Sequence, residues 1–240
     1  MIPELSTRAN ALVLSFIGIR RAVGISGFLL PIVLGPIGWL AGIPFQENIS
    51  SYYHTAMRDI FVGTMCAIAV FLLCYRGHDW IENWTANVGS AAAFGVALFP
   101  LDPGSDPLLQ RSLVGYLHTI SGGVFFLTLA CYSLYHFPRS TRDPVEGEPH
   151  PWERNFIYRS SGLVILLSMV AMGAYLFFAP ISLKQQLNRF NFLFWMEWIA
   201  VWAFASAWLT KGRVIAAEIA VDLLSIPREA IAEHFSGRLP

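Results

Sequence analysis

The chain has 240 residues, of which 55% are hydrophobic and only 13% charged, with a formal net charge of zero. Its mean hydropathy is +0.52, and soluble domains carry roughly a quarter charged residues, so a water-soluble globular protein is excluded. The zero net charge also leaves no basic field for a nucleic-acid partner.

At the N-terminus, Ala9–Ile19 is apolar with Arg8 ahead of it, the outline of a signal peptide. Arg20-Arg21 follows directly, no A-x-A-like cleavage site appears, and the paired arginines lack a twin-arginine pattern. Residues 1–21 therefore read as a short interfacial helix. A bilayer crossing takes roughly 20 mainly apolar residues. Ala22–Ile43, Ser112–Phe137, Ser160–Leu183 and Phe190–Thr210 meet that, and Ile60–Tyr75 and Trp84–Leu101 nearly do. The prediction is an all-α, multi-pass protein of the cell membrane, a bundle of about six transmembrane helices over residues 22–210.

The first of these runs is punctuated by Gly24, Gly27, Pro31, Gly35, Pro36 and Gly38, which predicts a kink beside a cavity or for packing. The third carries Gly89, Ser90, Ala91, Ala92, Ala93, Gly95 and Ala97, a surface that lets backbones approach closely and argues for a central position. Trp195, Trp198 and Trp202 share one face of the last run, the expected lipid-facing and interfacial surface. Cys66, Cys74 and Cys131 lie inside apolar runs and behave as small hydrophobes.

Arg20, Arg21, Arg76, Arg139, Arg142, Arg154, Lys211 and Arg213 fall in one set of connections, against Arg58, Arg111, Lys184 and Arg189 in the other. That bias predicts cytoplasmic N- and C-termini. Pro138–Arg154 reads as a solvated linker. Residues 211–240 form an amphipathic tail in which Ser225-Ile226-Pro227 restarts a helix. The tail lies along the membrane or docks a protein partner. Membrane lipids are the expected partners, and a homo-oligomer is also allowed.

Ionisable groups gather on the external side of this topology. The loop Asn48–Asp59 carries Tyr53, His54, Arg58 and Asp59, while His118 and Glu197 each lie about two turns into a span. Helical phase predicts that each points inward, Asp59 with Gly63, Cys66 and Val70, and His118 with the small residues Gly115, Ser121 and Gly122. Glu197 falls with Ala200 and Phe204, away from the tryptophans. An ionised group at membrane depth costs at least a few kcal/mol unless paired or wet, so such residues are functional candidates. His54 and His118 with Asp59 or Glu197 form a ligand set for zinc or another divalent metal. The same His–carboxylate groups also suit acid–base chemistry without metal. Tyr53, Arg58 and Ser121 are the candidate binding residues around them. Asp102-Pro103-Gly104 reads as a turn, His136 as interfacial, and His78 and Asp79 as solvated.

Ser50-x-x-x-His54 with Asp59 nearby and His118 later resembles the alkaline ceramidase and adiponectin-receptor superfamily of membrane hydrolases. The resemblance implies His54 and His118 as zinc ligands, with Ser50 and Asp59 supporting them. That family's late H-x-x-x-H pair has no counterpart here. Three functions follow: a metal-dependent hydrolase acting on a lipid or amphiphile, a non-catalytic lipid-binding, sensory or accessory subunit, or a small proton-coupled transporter. Transport requires polar groups continuing into the inner half of the bundle, and none is read there beyond hydroxyls and thiols.

Overall fold

A computed structural model of the protein describes residues 3–103, 110–139 and 151–212, with side chains described from residue 18 onward and Pro151 as backbone alone. The expected helix restart at Ser225, and most of the Pro138–Arg154 linker, lie outside the described residues. All regular structure among the described residues is helical.

Among the described residues, four stretches are long and apolar enough to cross a membrane: Gly18–Leu40, Leu113–Arg139, Trp152–Phe178 and Phe192–Lys211. They belong to α1 (Pro3–Ile32, prolonged to Leu40), α4 (Leu113–Cys131, prolonged to Arg139), α5 (Pro151–Phe178) and α7 (Phe192–Lys211). Between them stand α2 (Arg58–Cys74), α3 (Trp80–Leu98) and a short exposed helix, α6 (Ile181–Asn188). Helix packing closes a ring in the order α1, α2, α3, α4, α5, α7 and back to α1.

Proline and glycine shape the ring. α1 and α4 each pass through a π-helical turn, Val33–Ile37 with Pro36 inside it and Tyr132–His136 just ahead of Pro138. A widened turn accommodates the missing proline N–H without ending the helix. Gly24, Gly27 and Gly35 are contact points rather than a cavity margin. A Cβ on Gly24 would stand 2.7 Å from Leu209 Cγ, and one on Gly35 2.8 Å from Phe194 Cζ, so α1 lies close against α7. α1 is also unbroken from Pro3 to Ile32, so its backbone shows no boundary between the interfacial helix expected for residues 1–21 and the span.

Two predicted faces turn out differently. α2 buries Phe61, Met65, Ile68, Ala69 and Leu72, a stripe of large apolar groups. The line of Asp59, Gly63 and Val70 is offset from it by two positions, about 200° around the helix, and is exposed. The tryptophans divide: Trp195 and Trp202 are 43% and 37% exposed, while Trp198 is buried at 8%. Trp198 turns inward to lie over Gly35 and against Phe194.

The end of the ring carrying Arg20, Arg76 and Arg139 is a solid plug. Tyr75, Tyr132, Phe137, Tyr158 and Trp208 are buried and meet ring to ring. Among them sits Glu82, 3% exposed. Its carboxylate accepts from Tyr75 Oη at 2.7 Å and from the His78 N–H at 2.9 Å, while Tyr132 Oη donates to its carbonyl at 2.9 Å. Asp79 caps α3 by accepting from the Glu82 N–H, which together with its neighbour Arg139 holds its carboxyl below the ordinary range. It is solvated as expected, and it is also a helix cap. His136 is buried, not interfacial, because the π-turn rotates it inward to Thr85 Oγ1 at 3.1 Å.

Glu82 lies flat on Gly77, where a Cβ would come 2.3 Å from Glu82 Cγ. The carboxylate is held at both oxygens and cannot retreat cheaply. Gly77→Ala is expected to destabilise the protein by about 1–3 kcal/mol, read as a lowered unfolding midpoint in detergent. An unchanged midpoint would show that the plug yields freely.

Candidate functional site

The opposite end of the ring holds a partly open cavity of about 240 Å³. α1, α2, α3, α4, α5 and α7 all contribute to its wall, mostly with apolar side chains such as Leu30, Phe61, Met65, Phe125, Met172 and Val201. Its polar lining consists of Asn48, Ser50, His118, Thr119 and Glu197.

The segment 43–57 folds back over this end and is fixed from both sides. Phe194 N donates to Glu47 O at 2.9 Å, docking the loop on the start of α7. One turn further, Glu197 Oε2 accepts from the Ile49 N–H at 2.6 Å. Tyr52 is fully buried and leans on Phe194, and burial pushes its phenol above the ordinary value. Asn48 is 1% exposed, and its Oδ1 caps the 3₁₀ turn Ser50–His54 by accepting from Ser51 N at 2.7 Å and Ser51 Oγ at 3.0 Å.

Two imidazoles hang from the chain leaving α3. His118 Nδ1 lies 2.6 Å from Phe99 O, and His54 Nε2 lies 2.6 Å from Leu101 O. A carbonyl only accepts, so the bonded nitrogen carries the proton in each ring. Neutral His118 thus keeps its lone pair on Nε2, the arrangement of a general base or a ligand.

The exit strand bearing these carbonyls is itself held by Asp102. Its carboxylate accepts from Ser112 Oγ at 2.6 Å, Ser112 N at 2.8 Å and Arg111 N at 2.5 Å. These bonds, the Ser112 hydroxyl foremost, hold the Asp102 carboxyl below the ordinary carboxylate range. Gly115 permits the approach, since a Cβ there would meet Gln110 Oε1 at 2.2 Å. Asp102 is thus a clamp joining α3 to α4, more than the turn residue its Asp-Pro-Gly context predicts.

Of the candidate residues, His118, Glu197 and Ser50 line one cavity. Asp59 and Arg58 are exposed on the outer face of the ring. Arg58 donates to Tyr53 Oη at 2.9 Å with its guanidinium 4.6 Å from that ring's centre. Ser121 packs against Gly95, whose Cβ would come 2.1 Å from its hydroxyl. His54 is exposed, beside rather than inside the cavity. Catalytic zinc needs three protein ligands, and among the described residues no group of three His, Cys, Asp or Glu is placed to hold a metal. The expected ligand set is therefore not brought together, with His118 and Glu197 at the cavity and His54 and Asp59 exposed outside it. Asn48 and Asp102 carry no sequence-level assignment as site residues. Asn48-x-x-Ser51 and Asp102 ahead of a helix start are both capping signals, but burial in a docked loop is not written in local sequence.

No protein-family model matches the chain, and no characterised protein or solved structure matches it.

Glu197→Gln retains an oxygen for the Ile49 N–H, whereas Glu197→Leu strands that donor. The Leu variant is expected to lose about 1–3 kcal/mol and the Gln variant much less, by unfolding in detergent. Equal losses would show that removing the charge, rather than the bond to Ile49, is what matters.

Proposed function

We propose that the protein is a six-span protein of the cell membrane whose cavity binds a single-chain lipid or similar amphiphile. α2 and α3 have 17 and 19 residues and complete the same ring as the four longer apolar helices, which supports counting them as spans. The bias of Arg and Lys toward the plugged end supports cytoplasmic termini and a cavity facing the outer leaflet.

The observation that carries the binding reading is the make-up of the cavity. Apolar walls surround one polar corner of Asn48, Ser50, His118 and Glu197, which matches a molecule with an apolar body and a small polar head. The cavity also reaches glycines of α4 and α5. A Cβ on Gly123 or Gly173 would have nothing within 4 Å, so both glycines open onto the cavity they line. A hydrolase working on the same ligand is the second reading, favoured by the His118 tautomer that leaves Nε2 free to act as a base. The plug at Glu82 and Trp208 speaks against a transport path through the ring.

Two experiments test this. In a background with Cys66, Cys74 and Cys131 replaced by Ala, cysteines placed in Gln46–Thr55 should react with an impermeant thiol reagent on intact cells. Cysteines in Pro144–Pro151 should not, and the reverse pattern inverts the topology. Separately, Gly123→Phe combined with Gly173→Phe places bulk in the cavity from positions where a Cβ meets nothing within 4 Å. Native mass spectrometry of the purified variant should show co-purified single-chain lipid falling to background at unchanged unfolding midpoint. Lipid content equal to wild type would sink the binding reading.

A further inference from the structure

The cavity is partly open, and the exposure of its own walls marks where. Leu30, Phe61, Met65, Val96, Leu193 and Val201 line it from α1, α2, α3 and α7, and all are buried. The loop folded over its end is shut as well, with Asn48, Ile49 and Tyr52 each 5% exposed or less. Facing the cavity is therefore not enough to expose a side chain. Yet Gly122 and Gly123 of α4, and Met169, Met172, Gly173 and Leu176 of α5, are half-buried. These residues have a second open side. Outside α4 and α5, Ser50 and Glu197 alone among the lining residues are half-buried.

The open side is a slit between two helices that are each long and apolar enough to cross a membrane. α4 and α5 touch near the plug, where a Cβ on Gly162 would meet Leu134. Eleven residues back along α4 and eleven forward along α5 stand Gly123 and Gly173, about 16 Å nearer the loop-covered end. There a Cβ would meet nothing within 4 Å. Ile120 and Leu127 lie three or four residues from Gly123, and Val170 and Phe177 from Gly173, so each pair shares its glycine's side of the helix. All four are exposed and border the slit on its outer face. Gly173 is five residues, about 8 Å, from the end of α5 at Phe178, a level that meets acyl chains rather than water. Resting on the amphiphile-binding reading, we propose that this slit is the entrance to the site. A single-chain lipid already inserted in the bilayer moves in sideways between α4 and α5, head first, and part of its chain stays in the membrane. The cavity's size calls for such an opening. About 240 Å³ is below the roughly 300–1,000 Å³ of sites that enclose drug-sized ligands, so a long chain has to extend out of it.

The test locks the slit and follows lipid exchange. In the full-length protein with Cys66, Cys74 and Cys131 replaced by Ala, two cysteine pairs are placed across the rim. They are Ile120→Cys with Phe177→Cys, and Leu127→Cys with Val170→Cys, none of which lines the cavity. The protein in liposomes is loaded with deuterated palmitic acid, and each pair is then joined by a short bifunctional methanethiosulfonate. Excess unlabelled palmitic acid is added, and native mass spectrometry reads the deuterated acid still bound. The unlinked protein should exchange its label fully, whereas either linked pair should retain it over the same time. Linking before loading should prevent uptake. Reductant cuts the link and should restore exchange in the same sample. As a control, Phe45→Cys with Trp195→Cys, whose rings lie 6.2 Å apart, ties the loop 43–57 to α7 and should leave exchange at the unlinked rate. Full exchange with both rim pairs linked would overturn the proposal, as would a block that reductant does not lift. Exchange stopped by the loop tether would place the entrance at Ser50 instead and overturn it too. If the unlinked protein binds no palmitic acid at all, the amphiphile reading fails and the entrance with it, a result distinct from unimpeded exchange.

Discussion

The bond from the Ile49 N–H to Glu197 Oε2 holds the loop 43–57 against the ring, and the cavity exists because that loop stays down. An open end would let water reach His118 and the Asn48 amide. With the loop docked, both are nearly fully buried. A carboxylate in the wall of an apolar cavity is unfavourable on its own, and the backbone N–H offsets part of that cost while fixing which way Glu197 points. The loop gains in turn: two of its backbone groups, Glu47 O and Ile49 N, are satisfied by α7, which a segment at this depth requires.

The two ends of the ring solve the same problem in different ways. At the plugged end Glu82 has its oxygens engaged by Tyr75 and His78, under a layer of aromatic rings. Every direction is filled, and the group works as a structural tie. At the cavity end Glu197 has one protein hydrogen bond and faces space. Burial alone does not separate them, since Glu82 is the more buried of the two carboxylates. What separates a tie from a site is whether the partners already present use up the bonding capacity. By that criterion Asn48, His118 and Glu197 stand together, while Asp102, with three hydrogen bonds on its carboxylate, positions the chain that holds His118.

The helical runs were legible because hydropathy integrates over many residues, and each expected span overlaps a long helix, although Ser160–Leu183 runs past the end of α5 at Phe178 into α6. Boundaries were less so. The third helix begins at Trp80 rather than Trp84, since Asp79-x-x-Glu82 is a capping signal that hydropathy discounts as charge. That shift hid Glu82 inside a presumed loop. Phase with Gly63, Cys66 and Val70 predicts an inward Asp59, but the large residues Phe61, Met65 and Leu72 decide which face of α2 is buried. His118 and Glu197 could be placed from phase through their neighbours, since Gly115, Ala200 and Phe204 are indeed buried. Asn48 could not, because its burial comes from a loop docking on a helix almost 150 positions away in sequence.

Glycine does two jobs in this bundle, and the contrast accounts for where the cavity lies. Gly24, Gly35, Gly77, Gly95 and Gly162 each stand where a Cβ would come within 3 Å of a neighbouring side chain. There, small size brings elements into contact, as expected for helices whose association in lipid depends on close packing. α5 and α4 meet in this way at Gly162, with Leu134 2.4 Å from the missing Cβ. Three turns along α5 at Gly173, and on α4 at Gly123, the same residue type meets open space. A helix pair closed at one end and hollow at the other cannot arise from a uniform small-residue stripe. It requires the neighbouring side chains to reach in at one level and not at the next. Leu134 reaches in near the plug, whereas at cavity level the walls are formed by Phe125, Met169 and Met172, which leave a gap. Volume there is set by which side chains are absent, so the room for a chain beside Asn48 is built into the same helices that seal the other end.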